Sequence, residues 1–480
     1  MKPEALQYVN NQIARGADRL KPYARRGTWL YPRRPAFFRV EKYINDFLAG
    51  KYESRWVIIP GLRGVGKTTI LAQLFFTFNS TFKKKNIKTS NIIYISVDDI
   101  ITAGLTLKEV LEAYENILGH TFESQPTPIL LFIDEVQQDT QWAAVLKSMY
   151  DKARNVFVVC TGSSAVQLQT NADVARRGIF EKLYPLNFGE YQMLKNNIFP
   201  LPQLKQQIKT ALYDSASAEE VFTRLKKLEP SIKTQWKKFN KKDFDEFLST
   251  GTLPFTLRAQ TINIYEGIGL LVDRMINKDI QELGRFDVQT LGIIKKLLFI
   301  MADSNDGFSV NKASSILGVD RNTLTMVLDA LEKAEIIIRV APYGSNISAV
   351  KKPSKYLFMT PAIRMSLLSI TGLDETFLVR RGKLLEDIAG LHFYREFVSN
   401  GAGALTYDSA EAGADFILQI ANKKQIAVEI GMGDKENRQV KMTMSKVRCD
   451  YGLVICASDS VILSEEKNIV KIPHEYFLLM

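Results

Sequence analysis

A glycine-rich segment between an apolar run and a helix carries the clearest chemical pattern in the sequence. Gly61, Gly66, Lys67 and Thr68 occupy every fixed position of the pattern G-x-x-x-x-G-K-[ST]. Glycines allow backbone N–H groups to close around phosphate oxygens, and the helix that follows presents its positive N-terminal end to the same anion. A chance glycine-rich turn before a core helix is the alternative, but the apolar flanks favour a phosphate loop. The residues expected to contact a nucleoside triphosphate are Gly61, Leu62, Arg63, Gly64, Val65, Gly66, Lys67, Thr68 and Thr69.

Two acids end the apolar run 128–133 and form a second candidate motif. Asp134 is expected to hold Mg²⁺, directly or through water, together with the Thr68 hydroxyl. Glu135 would polarise the water that attacks the γ-phosphate, while Lys67 reaches the β- and γ-phosphates. Acids at the end of a strand can also be helix caps. With a phosphate loop upstream, the sequence favours the catalytic interpretation.

Further candidates follow the next apolar run, Asn155–Cys160. Ser163, in the segment 161–164, is a candidate to sense the γ-phosphate or hold the attacking water, and a helix N-cap is a compatible role. Arg176 and Arg177 end the next helix. In an oligomer, one of these arginines could stabilise transition-state charge at a neighbour's nucleotide. As surface arginines before a glycine helix stop, they would need no special role.

The segment from residue 55 to 190 alternates apolar runs with helix-length stretches. This alternation predicts an α/β fold, a parallel sheet wrapped by helices. The predicted strands are Arg55–Ile59, Asn91–Val97, Pro128–Ile133, Val156–Cys160 and Lys182–Leu186.

Composition limits the class of protein. With 480 residues the chain should hold about three domains on a prior of one per 150 residues. It lacks an apolar run of membrane-span length and a secretory signal at its start, so we expect a cytoplasmic protein without a membrane partner. Three cysteines and three isolated histidines give no metal-ligand spacing. The net charge of +11 is a weak indication of a polyanionic partner such as double-stranded DNA.

Residues 288–360 have the pattern of a winged helix. Three helices are predicted, and the last begins at Arg321 after the Gly318–Asp320 turn, with two wing strands behind it. In a DNA-binding helix-turn-helix, Arg321, Asn322 and Thr323 would meet base edges, and Lys351 and Lys352 would contact phosphates. Winged helices also serve as packing modules, and both interpretations stay open.

The phosphate loop, Phe132–Glu135, Thr161–Ser164, Arg176–Gly178 and Leu183–Phe188 occur in the order seen in AAA+ ATPases. The chain resembles most the archaeal and bacterial ATPases sometimes grouped with the STAND NTPases. Pro254 lies in a segment similar to the family's glycine-x-x-proline turn of the helical lid, which the resemblance places near the nucleotide base. From the residue patterns and this resemblance together, we expect a basic leader (1–50), an ATPase core (51–190), a helical lid (191–285), a winged helix (286–372) and a nuclease-like domain (373–480).

The last of these domains resembles restriction-endonuclease-like folds. Glu386, Asp415 and Glu429 match acids that bind Mg²⁺ in such folds, but Gly431 stands where the lysine of E-x-K belongs. Lys435, Gln439 or Lys441 could replace that lysine from another position. We expect the domain to be inactive as a nuclease.

The sequence therefore predicts a Mg²⁺-dependent ATPase of AAA+/STAND type whose ATP state controls the appended domains. A homo-oligomer or a partner protein is expected. An ATP-gated DNA nuclease, and a DNA- or protein-binding regulator that holds ATP without turnover, remain the alternatives.

Overall fold

A computed structural model describes residues 2–51, 53, 55–162, 172–258, 261–284, 286–304, 308–344, 352–369, 373–420 and 424–480. The chain divides into two compact units, Met1–Tyr184 and Pro185–Met480. Among the described residues, none of the helices is long and apolar enough to cross a membrane.

The first unit is built on a five-stranded sheet in the order β4-β5-β6-β3-β7, with every pair parallel. Its strands are β1 (Arg25–Arg26), β2 (Trp29–Leu30), β3 (Trp56–Pro60), β4 (Ile92–Ser96), β5 (Ile129–Asp134), β6 (Val156–Gly162) and β7 (Ile179–Phe180). Its helices are α1 (Pro3–Ala24), α2 (Pro35–Leu48), α3 (Lys67–Lys84), α4 (Val97–Thr102), α5 (Leu107–Leu118), α6 (Trp142–Lys152) and α7 (Ala172–Arg177), with 3₁₀ turns at Thr89–Asn91 and Val136–Gln138.

This sheet confirms the predicted parallel α/β fold, but its fifth strand lies elsewhere than expected. The strand is Ile179–Phe180, whereas the sequence pattern predicts 182–186. The backbone stays beside β3 as far as Leu183, whose N–H donates to Pro60 O over 2.8 Å. Regular pairing joins only Val57 to Ile179 and Ile58 to Phe180, because the following residues contact β3 through the single N–H groups of Glu181 and Leu183.

Helices cover both faces of this sheet, so its central strands are apolar on both sides. All side chains of β3 and β5 are buried. Helices α1 and α2 pack onto this core, α1 through Ala5 and Val9 and α2 through Phe47, which contacts Phe157.

The second unit is helical up to residue 333 and then contains an eight-stranded sheet in the order β14-β15-β13-β12-β11-β10-β8-β9. Its strands are β8 (Ile337–Pro342), β9 (Lys355–Phe358), β10 (Gly403–Tyr407), β11 (Phe416–Ile420), β12 (Lys424–Ile430), β13 (Tyr451–Cys456), β14 (Ile462–Leu463) and β15 (Ile469–Pro473).

The helices of the second unit include four π-helical segments. They are α8 (Phe188–Asn196), α9 (Leu204–Lys209, then π at Thr210–Asp214), α10 (Ala218–Trp236), α11 (Lys241–Glu246, then π at Phe247–Gly251), α12 (Thr261–Arg274, then π at Met275–Ile280), α13 (Gln281–Gly284), α14 (Val288–Asp303), α15 (Val310–Leu317), α16 (Arg321–Lys333), α17 (Pro361–Leu368), α18 (Leu373–Phe393, then π at Tyr394–Val398), α19 (Arg438–Lys446) and α20 (His474–Leu478), with a 3₁₀ turn at Pro254–Arg258.

The hairpin β8–β9 is joined both to a strand and to two helices that follow it. Strand β8 pairs in parallel with β10, and Tyr343 N–H extends this pairing to Tyr407 O over 2.8 Å. The buried Arg364 guanidinium of α17 forms two hydrogen bonds to Asp387 of α18, of 2.7 and 2.9 Å. Asp387 also accepts from the Phe358 N–H of β9 over 2.9 Å, so α17, α18 and β9 are tied at one point.

Candidate functional site

The phosphate loop lies between β3 and α3, and its glycines are required by its geometry. Gly64 and Gly66 have φ of +81° and +95°, a region that favours glycine. A β-carbon on Gly61 would lie 2.2 Å from the Leu183 carbonyl oxygen, so a side chain has no room there. Close packing of the backbone therefore sets the path of the loop from Gly61 to Thr69 at the end of β3.

Lys67 begins α3 and is 5% exposed. Its Nζ donates to the carbonyl oxygens of Gly61 and Leu62, at 2.9 and 3.2 Å. The same Nζ lies 4.0 Å from Glu135 Oε1. The ammonium is thus held on the inner side of the loop, where a lysine that neutralises phosphate charge belongs.

Asp134 ends β5 and is surrounded by hydroxyl groups from three other elements. Thr68 Oγ1 and Tyr94 OH donate to its Oδ2 over 2.8 and 3.1 Å, and Thr161 Oγ1 donates to its Oδ1. Burial, together with the neighbouring Glu135 carboxylate, raises the pKa of Asp134, whereas the hydrogen bonds from the Thr161 and Thr68 hydroxyls lower it. A carboxylate and a hydroxyl side by side are hard oxygen ligands, so Thr68 and Asp134 fit a Mg²⁺ ion.

Glu135 follows in a left-handed backbone conformation, with φ +56°. Such a conformation is uncommon for a residue other than glycine and is found at functional sites. Its N–H donates to Thr161 Oγ1 over 3.2 Å, and its Oε2 accepts from Gln137 Nε2 over 2.6 Å. Arg63 of the phosphate loop lies 3.8 Å from the same oxygen. The turn after β5 therefore aims the Glu135 carboxylate at the phosphate loop.

Sequence reasoning missed three residues of this site. Tyr94 and Gln137 donate hydrogen bonds to the two acids, Asp134 and Glu135 respectively. Arg34, which is 5% exposed, donates to Val65 O over 2.8 Å and to Tyr184 O over 2.9 Å, and so supports the loop from behind. The sequence offers one signal for Arg34, its position directly before a helix that begins with proline. This signal does not distinguish Arg34 from the other arginines of the first 50 residues.

The remaining predicted site residues lie in different surroundings. Arg177 forms two hydrogen bonds to Asp151 of α6, of 2.8 and 3.0 Å, whereas Arg176 is exposed. Ser163 lies outside the described residues. Pro254 belongs to the second unit, where it begins the 3₁₀ turn 254–258.

The proposed DNA-reading helix is α16. Asp320 caps it by accepting from the N–H groups of Asn322 and Thr323, both over 2.9 Å, and from the Thr323 hydroxyl over 2.6 Å. Arg321 and Asn322 are exposed. Lys352 is also exposed, and Lys351 lies outside the described residues.

The three acids of the C-terminal sheet lie around lysines. Glu386 and Asp415 both contact Lys355, and Glu429 contacts Lys435. Within the described residues, no group of three or more acidic, histidine or cysteine side chains is arranged to hold a metal ion.

Comparisons with known proteins agree with the first site. An AAA domain family matches residues 53–192, and a domain of unknown function (DUF8612) matches residues 241–374. The chain is 32% identical over 446 residues to the uncharacterized protein MJ1637 of Methanocaldococcus jannaschii, with coverage of 92% of this chain and 87% of that protein. It is 22% identical over 393 residues to MJ1544, an uncharacterized protein of the same organism, with coverage of 80% and 77%.

A solved structure with a similar arrangement is that of the ORC2 protein of Aeropyrum pernix. The TM-score is 0.40 at 11% identity, and the match covers 74% of this chain and 97% of that one. Because it is 32% identical to MJ1637 over 92% of its own length, the chain belongs to the same family as that protein, and its phosphate loop lies within the residues that match the AAA domain family.

Proposed function

We propose that the chain binds and hydrolyses ATP with Mg²⁺ as an AAA+ ATPase of STAND type. One observation carries this proposal: Thr68 Oγ1 lies 2.8 Å from Asp134 Oδ2 at the end of β5, beside the buried Lys67 ammonium. A cation ligand pair and a phosphate-neutralising lysine thus meet at one glycine-rich loop. This is the set of groups that phosphoryl transfer to water requires.

The residues of the chain are proposed to have the following roles. Backbone N–H groups of the loop and Lys67 bind the β- and γ-phosphates, and Thr68 with Asp134 holds the cation. Mg²⁺, when bound, would offset the charge that develops on the phosphate oxygens. Glu135 accepts the proton of the attacking water, and Gln137 and Thr161 fix its side chain and backbone. Ser163 is proposed to sense the γ-phosphate, and Pro254 to lie near the base.

The test separates binding from hydrolysis. Lys67→Ala should abolish binding of ATP, measured by titration calorimetry, because the cation that neutralises the phosphates is removed. Glu135→Gln should retain binding and lower the rate of phosphate release by about 100-fold or more, the usual contribution of a general base. Lys108→Ala, a change at a lysine that is 68% exposed, is the matched control and should alter neither quantity. Equal turnover in the wild type and Glu135→Gln would remove Glu135 from the mechanism.

Contact with double-stranded DNA through a winged helix is a second candidate function. One observation favours it: Arg339 of β8 pairs with Asp329 and with Glu332, the latter over 3.0 Å, and so offsets the acids of α16. Arg321 and Asn322 at the start of the same helix remain exposed. We infer that the ATP state controls this module and the nuclease-like C-terminal domain. We propose that this C-terminal domain does not cut DNA. The protein is proposed to act in the cytoplasm, as a homo-oligomer or with a partner protein.

A further inference from the structure

Three carboxylates meet at one place in the C-terminal sheet. Glu386 lies on α18, Asp415 directly precedes β11, and Glu429 lies near the end of β12. Glu386 and Glu429 are 5% and 1% exposed. Asp415 is fixed to β12 because its Oδ2 accepts the Ile430 N–H over 3.1 Å. We call Glu386, Asp415 and Glu429 the carboxylate cluster.

Lys355 of β9 extends into this cluster. Its Nζ contacts Glu386 Oε1, and it lies 3.2 Å from both Asp415 Oδ1 and the Asp415 backbone oxygen. The Lys355 side chain is 16% exposed, and its ammonium lies 4.9 Å from the centre of the Phe416 ring. One ammonium thus bridges two carboxylates that come from different elements.

Lys435 covers the third acid. Its Nζ lies 2.8 Å from Glu429 Oε1, and its chain runs over Gly431 so closely that a β-carbon there would be 2.2 Å from Lys435 Cε. Only glycine at position 431 leaves room for this path. The other oxygen, Glu429 Oε2, is buried without a hydrogen-bond partner among the described residues.

The charges of the cluster are balanced by the chain itself. Lys383 adds a third ammonium, 2.7 Å from Glu386 Oε2, so three ammonium groups face three carboxylates. Burial alone would raise the pKa of Glu386, but Lys355 and Lys383 lower it to about 2. A divalent cation would add two positive charges next to ammonium groups in a partly dry site, where like charges repel strongly. The residues present therefore do not fit a metal ion while Lys355 is in place.

We propose that the Lys355 ammonium is the resident cation of the carboxylate cluster and keeps it free of divalent metal. The inference rests on the proposed nuclease-like character of this sheet, and it assigns the loss of metal-dependent chemistry to Lys355 as well as to Gly431. Withdrawal of Lys355 would leave Glu386 and Asp415 facing each other with vacant oxygen ligands. These two oxygens, Glu386 Oε1 and Asp415 Oδ1, would then be available to bind a divalent cation.

The experiment measures Mn²⁺ binding to the full chain without nucleotide, by the loss of the free-ion EPR signal. Wild type should bind no more Mn²⁺ than Asp415→Asn. Lys355→Met should gain one Mn²⁺ site, whose affinity should be at least roughly tenfold higher than that of the same position in the wild type. The double variant Lys355→Met/Asp415→Asn should lose this site. Lys383→Met is the matched control: it also removes an ammonium from Glu386, but Lys355 stays, so no site should appear.

Thermal unfolding supplies a second readout. Lys355→Met should lower Tm by on the order of 5–10 °C, since the buried Glu386 and the partly buried Asp415 lose their cation, and Mn²⁺ should restore much of this loss only in that variant. Asp415-dependent Mn²⁺ binding by wild type, or no gain in Lys355→Met, would overturn the inference. Should Lys355→Met not fold, the comparison of the wild type with Asp415→Asn still tests the inference, because Asp415-dependent Mn²⁺ binding by the wild type would overturn it.

ATP hydrolysis, assayed on the same preparations, reports separately on the function proposed for the first unit. Mn²⁺-dependent DNA cleavage that Asp415→Asn abolishes would overturn both the inactive nuclease-like domain and the role of Lys355. Mn²⁺ binding by wild type without cleavage would overturn the role of Lys355 alone.

Discussion

Tyr94 donates a hydrogen bond to Asp134 across the gap between two neighbouring strands, with 3.1 Å between its hydroxyl and Oδ2. Tyr94 is paired with Phe132 in the β4–β5 ladder, two residues before the acid, so its side chain lies along the same face of the sheet. The sheet itself thus supplies a donor that holds the proposed Mg²⁺ ligand in place.

Tyr94→Phe should therefore lower the turnover of ATP. The change keeps the ring and its packing but removes one of the donors to a buried carboxylate, a contribution of about 1.5–3 kcal/mol for a charged acceptor. We expect a fall in kcat of about ten- to a hundredfold, if this contribution is lost in the transition state, and a higher Mg²⁺ concentration for the half-maximal rate. Tyr114→Phe is the control, because this buried tyrosine donates instead to Ser90 O over 2.6 Å. Equal effects of the two changes would contradict a positioning role for Tyr94.

The two arginines at the end of α7 should behave differently. Arg177 is bound to Asp151 within the chain, so Arg177→Ala should lower stability by about 0.5–1 kcal/mol, as expected for a partly exposed ion pair. Arg176 is the better candidate to act on a neighbouring subunit. Arg176→Ala should lower specific activity, which in the wild type should rise with protein concentration.

Mixing the variants tests this assignment of Arg176. Arg176→Ala and Lys67→Ala should together recover part of the activity, because one subunit supplies the arginine and the other the intact loop. Turnover that is independent of concentration and shows no such recovery would rule out an arginine acting between subunits.

DNA binding, measured by fluorescence anisotropy, should depend on α16 and the wing. Neutralising Arg321 and Lys352 should weaken binding and reduce the slope of log affinity against log salt by about one for each phosphate that is no longer neutralised. The same change at the exposed Lys237 and Lys238 of the helical segment is the control and should have a smaller effect. If duplex DNA does not bind at low salt, with or without ATP, α16 serves only in packing.

The charged form of Lys205 should destabilise the second unit at neutral pH, and this destabilisation should disappear at high pH. Burial, and then the charges of Arg395 and Lys209, lower its pKa from 10.5 to about 8. The folded chain thus binds this proton less tightly than the unfolded chain. The resulting loss in the free energy of unfolding is complete below pH 8 and disappears as the pH rises to about 10.5. Lys205→Met should be more stable than wild type by roughly 1–3 kcal/mol at pH 7.

Urea unfolding of both proteins between pH 7 and 10.5 measures this difference, which should shrink as the pH rises. Lys237→Met, a change at an exposed lysine, should show no such trend. A constant difference between Lys205→Met and wild type across the range would assign the effect to packing instead of charge.

The parts of the fold that could be predicted from the sequence are those with local causes. The phosphate loop is a continuous segment whose glycines and lysine have fixed spacing, and Asp134 follows an apolar run that has the length and character of a buried strand. The parallel sheet follows from the alternation of such runs with helices, and that prediction is confirmed. The position of the strand at Ile179–Phe180 could not be predicted from this alternation, because it depends on which residues pair with β3, a tertiary property.

The contacts that could not be predicted join residues far apart in the chain. Arg34 supports a carbonyl at Val65, and Lys355 reaches Asp415 across 60 positions of sequence. A single lysine or arginine carries no periodicity that distinguishes such a role from a solvated surface charge. Only the folded backbone brings them to their partners. The catalytic assignment of Glu135, Ser163, Arg176 and Arg177 stays a prediction.

The pairing of β8 with β10 has a consequence for how this chain can change during evolution. The hairpin β8–β9, which follows α16, and the strands β10–β15 next to the carboxylate cluster belong to one hydrogen-bonded sheet. Removal of either part would expose an unpaired strand edge, which invites aggregation. The two parts should therefore be inherited, exchanged or lost together, and homologues that carry only one of them should have covered that edge by other means.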